Sequence, residues 1–321
     1  MRNKLAMTVA GLAGAILTAG AAAQGYPSKT VRMLVAFPAG GSADIVGRHV
    51  MGKVAEITGK SFVIENKTGA GGNLAFAAAA AAKNDGYTLL FSTPGIAINP
   101  SLYRKGAGFK TEDFTPIALV GEAPLVLLAN PTRPYKTIPE LVQESKKRPD
   151  EIRFASSGNG SSSHLAMDVL RFMTSMQYLH VPYRGGGPAM TDTMSGQTDV
   201  TMLPIAESMP YVRDGRLRAL GQTGAKRSSI APDMPTIGEA VPGYSSTTWY
   251  MLLGPANTPP EVVAWLQQQV ARALATPDLQ AKLRDAGVDV INGNAAEATA
   301  FLQSEQKKWA ERIKASGTVI E

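Results

Sequence analysis

The chain of 321 residues contains no cysteine. This absence excludes disulfide bonds, thiolate nucleophiles, cysteine-based zinc or iron–sulfur sites and thiol redox chemistry. Histidine is scarce as well, with three residues, and no H-x-H spacing, H-E-x-x-H motif or carboxylate cluster indicates a metal site. We therefore expect neither a metal nor a cofactor.

Charged residues are few, at 18% of the chain, and the formal net charge is only +6. The longest basic run is Lys146-Lys147-Arg148, at the predicted end of a helix. A nucleic-acid-binding protein would concentrate its basic residues on one element or interleave them with aromatic residues, so no nucleic-acid partner is expected. With 44% hydrophobic residues, the composition is typical of a folded protein, and the length predicts about two domains.

A long hydrophobic run is missing too. The most apolar segment, Leu5–Gly20, is shorter than the ~20 residues that span a bilayer. Arg2 and Lys4 precede this segment, and an A-x-A motif at Ala21–Ala23 follows it. This layout predicts a cleavable signal peptide over residues 1–24 and an exported, periplasmic protein.

Strand, glycine-rich loop and helix follow one another repeatedly. The apolar run Val31–Phe37 ends in such a loop, after which hydrophobic residues recur at helical spacing. The middle of the chain repeats the plan with a strand at Ile152–Ser156, a loop, a helix at His164–Met176 and a strand at Tyr178–Pro182. This alternation predicts α/β domains with a largely parallel sheet.

The C-terminal segment is predicted to form helices, and these helices need a sheet to pack against. The sheet of the N-terminal domain is the nearest candidate. We therefore predict a discontinuous first lobe, residues 25–123 and 247–321, and a second lobe, residues 124–246. The chain would then cross between the lobes twice. A two-segment hinge with glycine-rich loops facing a cleft is the architecture of a receptor that closes on a ligand.

Two loops are candidates for binding an anion. In Phe37–Asp44, Gly40 and Gly41 would direct backbone N–H groups outward at the N-terminus of a helix, where negative charge is favoured. The alternative is a tight turn in which Ser42 or Asp44 caps the helix. In Ser156–His164, five serines and two glycines could surround a carboxylate without a counter-charge, or could form an exposed loop.

Two further loops of the same kind, Thr68–Asn73 and Tyr183–Pro188, are weaker candidates. Arg184 could pair with a second carboxylate of a ligand or be a solvated surface residue. The sequence lacks the common enzyme motifs: it contains no G-x-G-x-x-G, no complete phosphate-binding loop and no G-x-S-x-G elbow. The enzyme alternative is a secreted serine hydrolase that uses Ser42 or a hydroxyl of Ser161–Ser163 with His164 as the base.

The loops, in this order, resemble the Bug family, the extracytoplasmic solute receptors of tripartite tricarboxylate transporters. The resemblance spans the chain from about Tyr26 to the C-terminus, and the serine-rich loop is its most specific part. The matching stretches are FPAGGSAD at 37–44, NKTGAGGN at 66–73, ASSGNGSSSHL at 155–165, HVPYRGGGPA at 180–189 and KRSSIAPDMP at 226–235, followed by Pro242-Gly243-Tyr244.

The resemblance implies a two-lobed periplasmic-binding-protein fold of type II-like topology, with a ligand cleft between the lobes. It also implies a small carboxylate as ligand, a membrane permease as partner, a monomeric chain and no catalysis. Asp44 would be structural or hold water, because a bare carboxylate would repel an anionic ligand. The ligand-binding residues carried over by position are Phe37, Ala39, Gly41, Ser42, Asp44, Ser157, Asn159, Ser161, Ser163 and Gly186.

Two stretches depart from the family pattern. Ser92–Pro100 lacks the usual polar or histidine-containing run, and Met202–Glu207 lacks the usual aspartate or asparagine. If both face the distal end of the ligand, that end is less polar than usual. The departures then favour a monocarboxylate or an aromatic acid over citrate.

Overall fold

The computed structural model describes residues 25–103 and 105–316, so the predicted signal peptide lies outside the described residues. Ten strands form one curved sheet. They are β1 (Val31–Val35), β2 (Phe62–Asn66), β3 (Thr88–Ser92), β4 (Phe114–Ala129), β5 (Arg153–Ser156), β6 (Leu179–Pro182), β7 (Val200–Pro204), β8 (Arg218–Gln222), β9 (Thr247–Pro255) and β10 (Asp289–Gly293).

Eleven α-helices lie within the described residues, with short 3₁₀ turns at Ala70–Gly72 and Thr111–Asp113. The helices are α1 (Ser42–Thr58), α2 (Asn73–Ala80), α3 (Gly95–Leu102), α4 (Ile138–Lys147), α5 (Ser162–Thr174), α6 (Gly186–Ser195), α7 (Ile205–Arg213), α8 (Ile237–Ala240), α9 (Pro260–Leu274), α10 (Pro277–Asp285) and α11 (Ala295–Ser316). In this part of the chain, no helix has both the length and the apolar character to cross a membrane.

The sheet has two halves that share β4. In the first half the order is β2-β1-β3-β9-β4, and β10 adds to β4; in the second half it is β6-β5-β7-β4, and β8 also pairs with β4. Pro124 of β4 is the last residue that pairs with β9, opposite Thr247, and Leu125 is the first that pairs with β7, opposite Pro204. One strand of 16 residues therefore runs through both halves.

The predicted α/β class and two-lobed fold are confirmed, but the prediction of a largely parallel sheet is wrong. β1 and β5 are parallel to both of their neighbours. In contrast, β4 is antiparallel to β7, β8, β9 and β10, and β9 is also antiparallel to β3. Strand direction depends on how the chain returns between the lobes, which the local sequence pattern does not encode.

Helices cover both faces of the first half of the sheet. On one face, Val46, Val50 and Val54 of α1 share a buried cluster with Leu266 and Val270 of α9. These α1 residues recur every four positions, the spacing that puts them on one side of a helix. The opposite face is covered by buried residues of α2, α3 and α11 that surround Trp249.

Helix α11 extends from the first core to the second. Leu302 packs in the cluster around Trp249, whereas Trp309 packs in the cluster of the second half. Between them, Glu305 is only 7% exposed, and its Oε2 accepts hydrogen bonds from the indole Nε1 of Trp249 at 3.0 Å and of Trp309 at 3.1 Å. Lys308 forms a salt bridge with the same carboxylate. The carboxylate therefore joins β9 to the C-terminal helix.

We expect Glu305→Ala to lower the free energy of unfolding by about 2–4 kcal/mol, because two buried indole N–H groups lose their acceptor. Glu311→Ala, an exposed position on the same helix, is the matched control and should change stability by less than about 0.5 kcal/mol. Guanidinium unfolding followed by tryptophan fluorescence measures both variants. Equal stability of the two variants would contradict a structural role of Glu305.

Candidate functional site

A cleft of about 600 Å³ lies where loops of the two halves meet. Its walls come from the segment after β1, the loops after β5 and β6, and the start of α7. Eight of the ten residues predicted to bind ligand line this cleft: Phe37, Ala39, Gly41, Ser42, Ser157, Ser161, Ser163 and Gly186. The structure thus brings together three glycine- and serine-rich segments that are far apart in sequence, within 37–44, 156–164 and 183–188.

Asp44 does not line the cleft but holds its first loop in place. Its side chain, 3% exposed, accepts hydrogen bonds from the Gly40 N–H at 2.9 Å, from Arg48 Nε at 2.9 Å and from Asn66 Nδ2 at 2.9 Å. Asn66 also donates to the carbonyl oxygen of Phe37 at 2.9 Å. Asp44 therefore fixes the loop between β1 and α1 from behind.

The charge of Asp44 is neutralised within this network. Burial alone would raise the pKa of its carboxyl group, but the hydrogen bonds from Arg48, Gly40 and Asn66 outweigh burial and lower that pKa. Asp44 is consequently ionised at neutral pH and paired with Arg48, so it does not oppose an anion in the cleft.

The serine-rich loop is held by its own polar groups. Ser161 is the N-cap of α5: its Oγ accepts from the His164 N–H at 3.3 Å and donates to the Gly158 carbonyl at 2.7 Å. His164 Nδ1 in turn accepts from the Gly160 N–H at 3.2 Å. The loop therefore has a defined shape and is not a flexible exposed segment.

The two histidines near this loop stack with their ring centroids 4.0 Å apart. Burial lowers the pKa of His164, and burial together with the neighbouring His164 lowers the pKa of His180 to about 3. His164 Nε2 lies 3.5 Å from Asp168, while His180 Nε2 lies 2.6 Å from Ser156 Oγ. With Nδ1 bound to Gly160 and Nε2 facing Asp168, His164 is engaged in the loop, and the serine hydrolase alternative is not supported.

Ser163 differs from the other serines. It is 3% exposed and lines the cleft, and its Oγ has no hydrogen-bond partner among the described residues. A buried hydroxyl without a partner is costly unless a ligand or water completes it. This hydroxyl is therefore available to a polar group in the cleft.

Asn159 is exposed and lies outside the cleft, although sequence reasoning placed it there. The loop after β2 approaches it: a Cβ at Gly71, whose φ is +63°, would lie 2.6 Å from the Asn159 carbonyl oxygen. The backbone of Asn159 thus contacts Gly71, and the segment Thr68–Asn73 does not line the cleft.

The two stretches that depart from the family pattern differ in how they contribute to the cleft. Of Ser92–Pro100, only Thr93 lines the cleft, whereas Ile96–Asn99 are fully buried. Glu207, from the second departure, does line it. The cleft therefore contains a carboxylate where a less polar wall was expected.

The cleft also includes residues that the sequence did not predict. Leu125, Thr248 and Tyr211 contribute to its lining, and no local sequence signal identifies them.

The fold and the cleft define a class of protein, the periplasmic binding proteins. BugD, a periplasmic binding protein, superposes with a TM-score of 0.85 at 32% identity over 92% of this chain and all of its own. An R. palustris protein solved with adipate gives a TM-score of 0.86 at 31% identity, covering 92% of this chain and 99% of that one. MatC from Rhodopseudomonas palustris, solved with bound malate, gives 0.83 at 32%, covering 90% and 100%.

Sequence comparison identifies the family. The model of the tripartite tricarboxylate transporter family receptor matches residues 46–318. The chain is 32% identical to a UPF0065 protein of Pseudomonas sp. strain P51, over 95% of this chain and 92% of the relative. It is 29% identical to Protein BugT of Bordetella pertussis, over 100% and 99%. The chain belongs to the tripartite tricarboxylate transporter receptor family, and the predicted resemblance to Bug proteins is confirmed.

We expect Asp44→Asn to lower the free energy of unfolding by about 1–3 kcal/mol, because Arg48 and the Gly40 N–H lose a charged partner. Because the pKa of Asp44 is lowered in the folded protein, its contribution is fully present above its unfolded pKa of about 3.9 and is lost as the pH falls through the folded value. The difference between wild type and variant should therefore be constant from about pH 5.5 to 7 and shrink below pH 4.

Urea unfolding at several pH values measures this difference. Asp285→Asn, at an exposed position of α10, is the control and should leave stability nearly unchanged. A difference that grows as the pH falls would contradict the pairing of Asp44 with Arg48.

Proposed function

We propose that this chain is an exported receptor that captures a small carboxylate between its two lobes and delivers it to a permease of the tripartite tricarboxylate type. The observation that carries the proposal is that the N-terminus of α1 and the serine-rich loop before α5 line one cleft. One belongs to the predicted first lobe, residues 25–123 and 247–321, and the other to the second, residues 124–246.

The chemistry suits an anion of low charge density. Backbone N–H groups at a helix N-terminus attract negative charge, and hydroxyl groups donate hydrogen bonds without introducing a counter-ion. We assign Ser42 and Gly41 to one carboxylate oxygen and Ser163 to contacts from the other lobe. Binding to both lobes stabilises a closed form only if the ligand binds that form more tightly than an open one. No catalytic step is required of any residue.

The ligand class follows from the size of the cleft and from the relatives. A volume of about 600 Å³ is in the range of small-molecule sites. Two similar proteins hold adipate and malate, which are small aliphatic dicarboxylates. We propose a mono- or dicarboxylate or an aromatic acid as the ligand.

A thermal-shift screen tests this function on the predicted exported form, residues 25–321, unfolded and refolded to remove carried-over ligand. The panel contains mono-, di- and tricarboxylates, aromatic acids and amino acids. A ligand at 100 times its dissociation constant should stabilise the protein by about 2.7 kcal/mol. A shift with one class of acid supports the receptor, and no shift across the panel would overturn it.

Ser163→Ala and Ser161→Ala should separate ligand binding from folding. Ser163 Oγ has no partner among the described residues, so its removal should weaken binding of the acid found in the screen at least five-fold and leave the melting temperature unchanged. Ser161 caps α5, so its loss should also lower stability by about 1 kcal/mol.

Lys147→Ala, at an exposed position of α4, is the control for both serine variants and should change neither property. Isothermal titration calorimetry and thermal unfolding provide the two readouts. Unchanged affinity in Ser163→Ala would remove this residue from the site.

A further inference from the structure

Glu207 is the acidic side chain of the cleft lining. It belongs to the first turn of α7, in the second half of the sheet, and it lies half-buried in the cleft wall. Arg184, which also lines the cleft, is exposed. Within the described part of the chain, no salt bridge reaches Glu207, in contrast to Asp44 with its partner Arg48.

The carboxylate of Glu207 lies near the starts of two helices. Ser42, in the first turn of α1, lines the same cleft, and its backbone N–H lowers the pKa of the Glu207 carboxyl group. A Cβ at Gly186, the first residue of α6, would lie 3.0 Å from Glu207 Oε2. Helix starts favour negative charge, so this is an electrostatically suitable position for a carboxylate.

Two features of this position shift the pKa of Glu207 in opposite directions. Burial raises the pKa of its carboxyl group, and the Ser42 N–H lowers that pKa, with burial the larger effect. Burial raises the pKa of the Tyr250 hydroxyl, and the charge of Glu207 contributes to the same shift. The Ser42 N–H thus offsets only part of the effect of burial on the Glu207 carboxyl group.

A ligand carboxylate that binds the Ser42 N–H would meet this anion. Two carboxylates at one helix start repel each other, and one of them must withdraw or be protonated. Ser42 belongs to α1, which follows β1 of the first half of the sheet, and Glu207 belongs to α7, which follows β7 of the second half. The two residues therefore reach the cleft from different halves, as the contacts of a bound ligand would.

We propose that Glu207 is an internal competitor of the ligand: its unpaired carboxylate lies in the same cleft as the starts of α1 and α6, and a ligand carboxylate binds there by displacing it. The proposal rests on the proposed function, since it requires that Ser42 binds a carboxylate. Only acids that make enough further contacts in the cleft then bind tightly enough to displace Glu207.

Gly186 gives room for this arrangement. A Cβ there would also lie 3.0 Å from Leu203 Cδ2, so both the Glu207 carboxylate and the Leu203 side chain would have to shift in the presence of any other residue. Gly186 therefore leaves space for the Glu207 carboxylate in the cleft wall, a role different from the ligand contact predicted for it.

The test is Glu207→Gln, which keeps the shape of the side chain and removes its charge. Calorimetric titration at pH 7.5 with adipate, malate and benzoate compares it with wild type. We expect the dissociation constant to fall at least ten-fold, about 1.4 kcal/mol, for each acid that binds. Glu151→Gln, an exposed position before β5, is the matched control and should leave affinity unchanged.

Glu207→Asp is the second variant, and it decides the question if the glutamine variant fails to fold. Its shorter side chain withdraws the carboxylate from Ser42, so we expect a smaller gain in affinity, of about three-fold. Weaker binding in the variants would show that Glu207 contacts a donor group of the ligand, and unchanged binding would show that it does not compete. Either result overturns this inference while leaving the receptor function intact.

If folded wild type and both folded variants bind none of the three acids, the competitor role is overturned. The receptor function then depends on the remaining acids of the screen. Binding by Glu207→Gln alone, with none by wild type, is the strongest form of the expected result.

Discussion

The shared strand β4 is the constraint on which the rest of the structure depends. Because its 16 residues pair with β9 as far as Pro124 and with β7 from Leu125 onward, this strand connects the two halves of the sheet. The segments that follow the parallel strands β1 and β5 both reach the cleft. Loops at the carboxyl ends of such strands form the binding sites of open α/β sheets, and here both sets line one cleft.

The anion site that we propose in the cleft has few basic side chains. Its donors are backbone N–H groups at helix starts and serine hydroxyls, while the buried acid nearest the first loop, Asp44, is neutralised by Arg48. Selectivity in such a site comes from geometry and from fixed charge, because hydroxyls and amides bind many carboxylates similarly. Glu207 is important for this reason: one unpaired carboxylate changes the balance of a site that has little positive charge.

Most polar groups around the serine-rich loop stabilise the loop itself, and one is free to bind a ligand. His164, His180 and Ser161 use their polar atoms on the loop itself, and burial keeps both imidazoles neutral. Ser163 is the exception, with a hydroxyl that the described protein leaves unpaired. A rigid loop lowers the entropy lost when a ligand is bound, so the holding residues contribute to affinity without contacting the ligand.

Periodicity and short motifs were enough to predict the local features from the sequence: the order of strand, loop and helix, the glycine- and serine-rich segments and the family resemblance. They also predicted ten ligand-binding residues, of which eight line the cleft. Charge also indicated that Asp44, although counted among the ligand-binding residues, is structural or holds water. The tertiary structure decided the mixed sheet, the contact of Asn159 with Gly71 outside the cleft, and the meeting of Glu207 with Ser42. Each of these depends on how distant segments approach, and strand pairing and lobe geometry are set by the packing of the whole chain, which no local pattern contains.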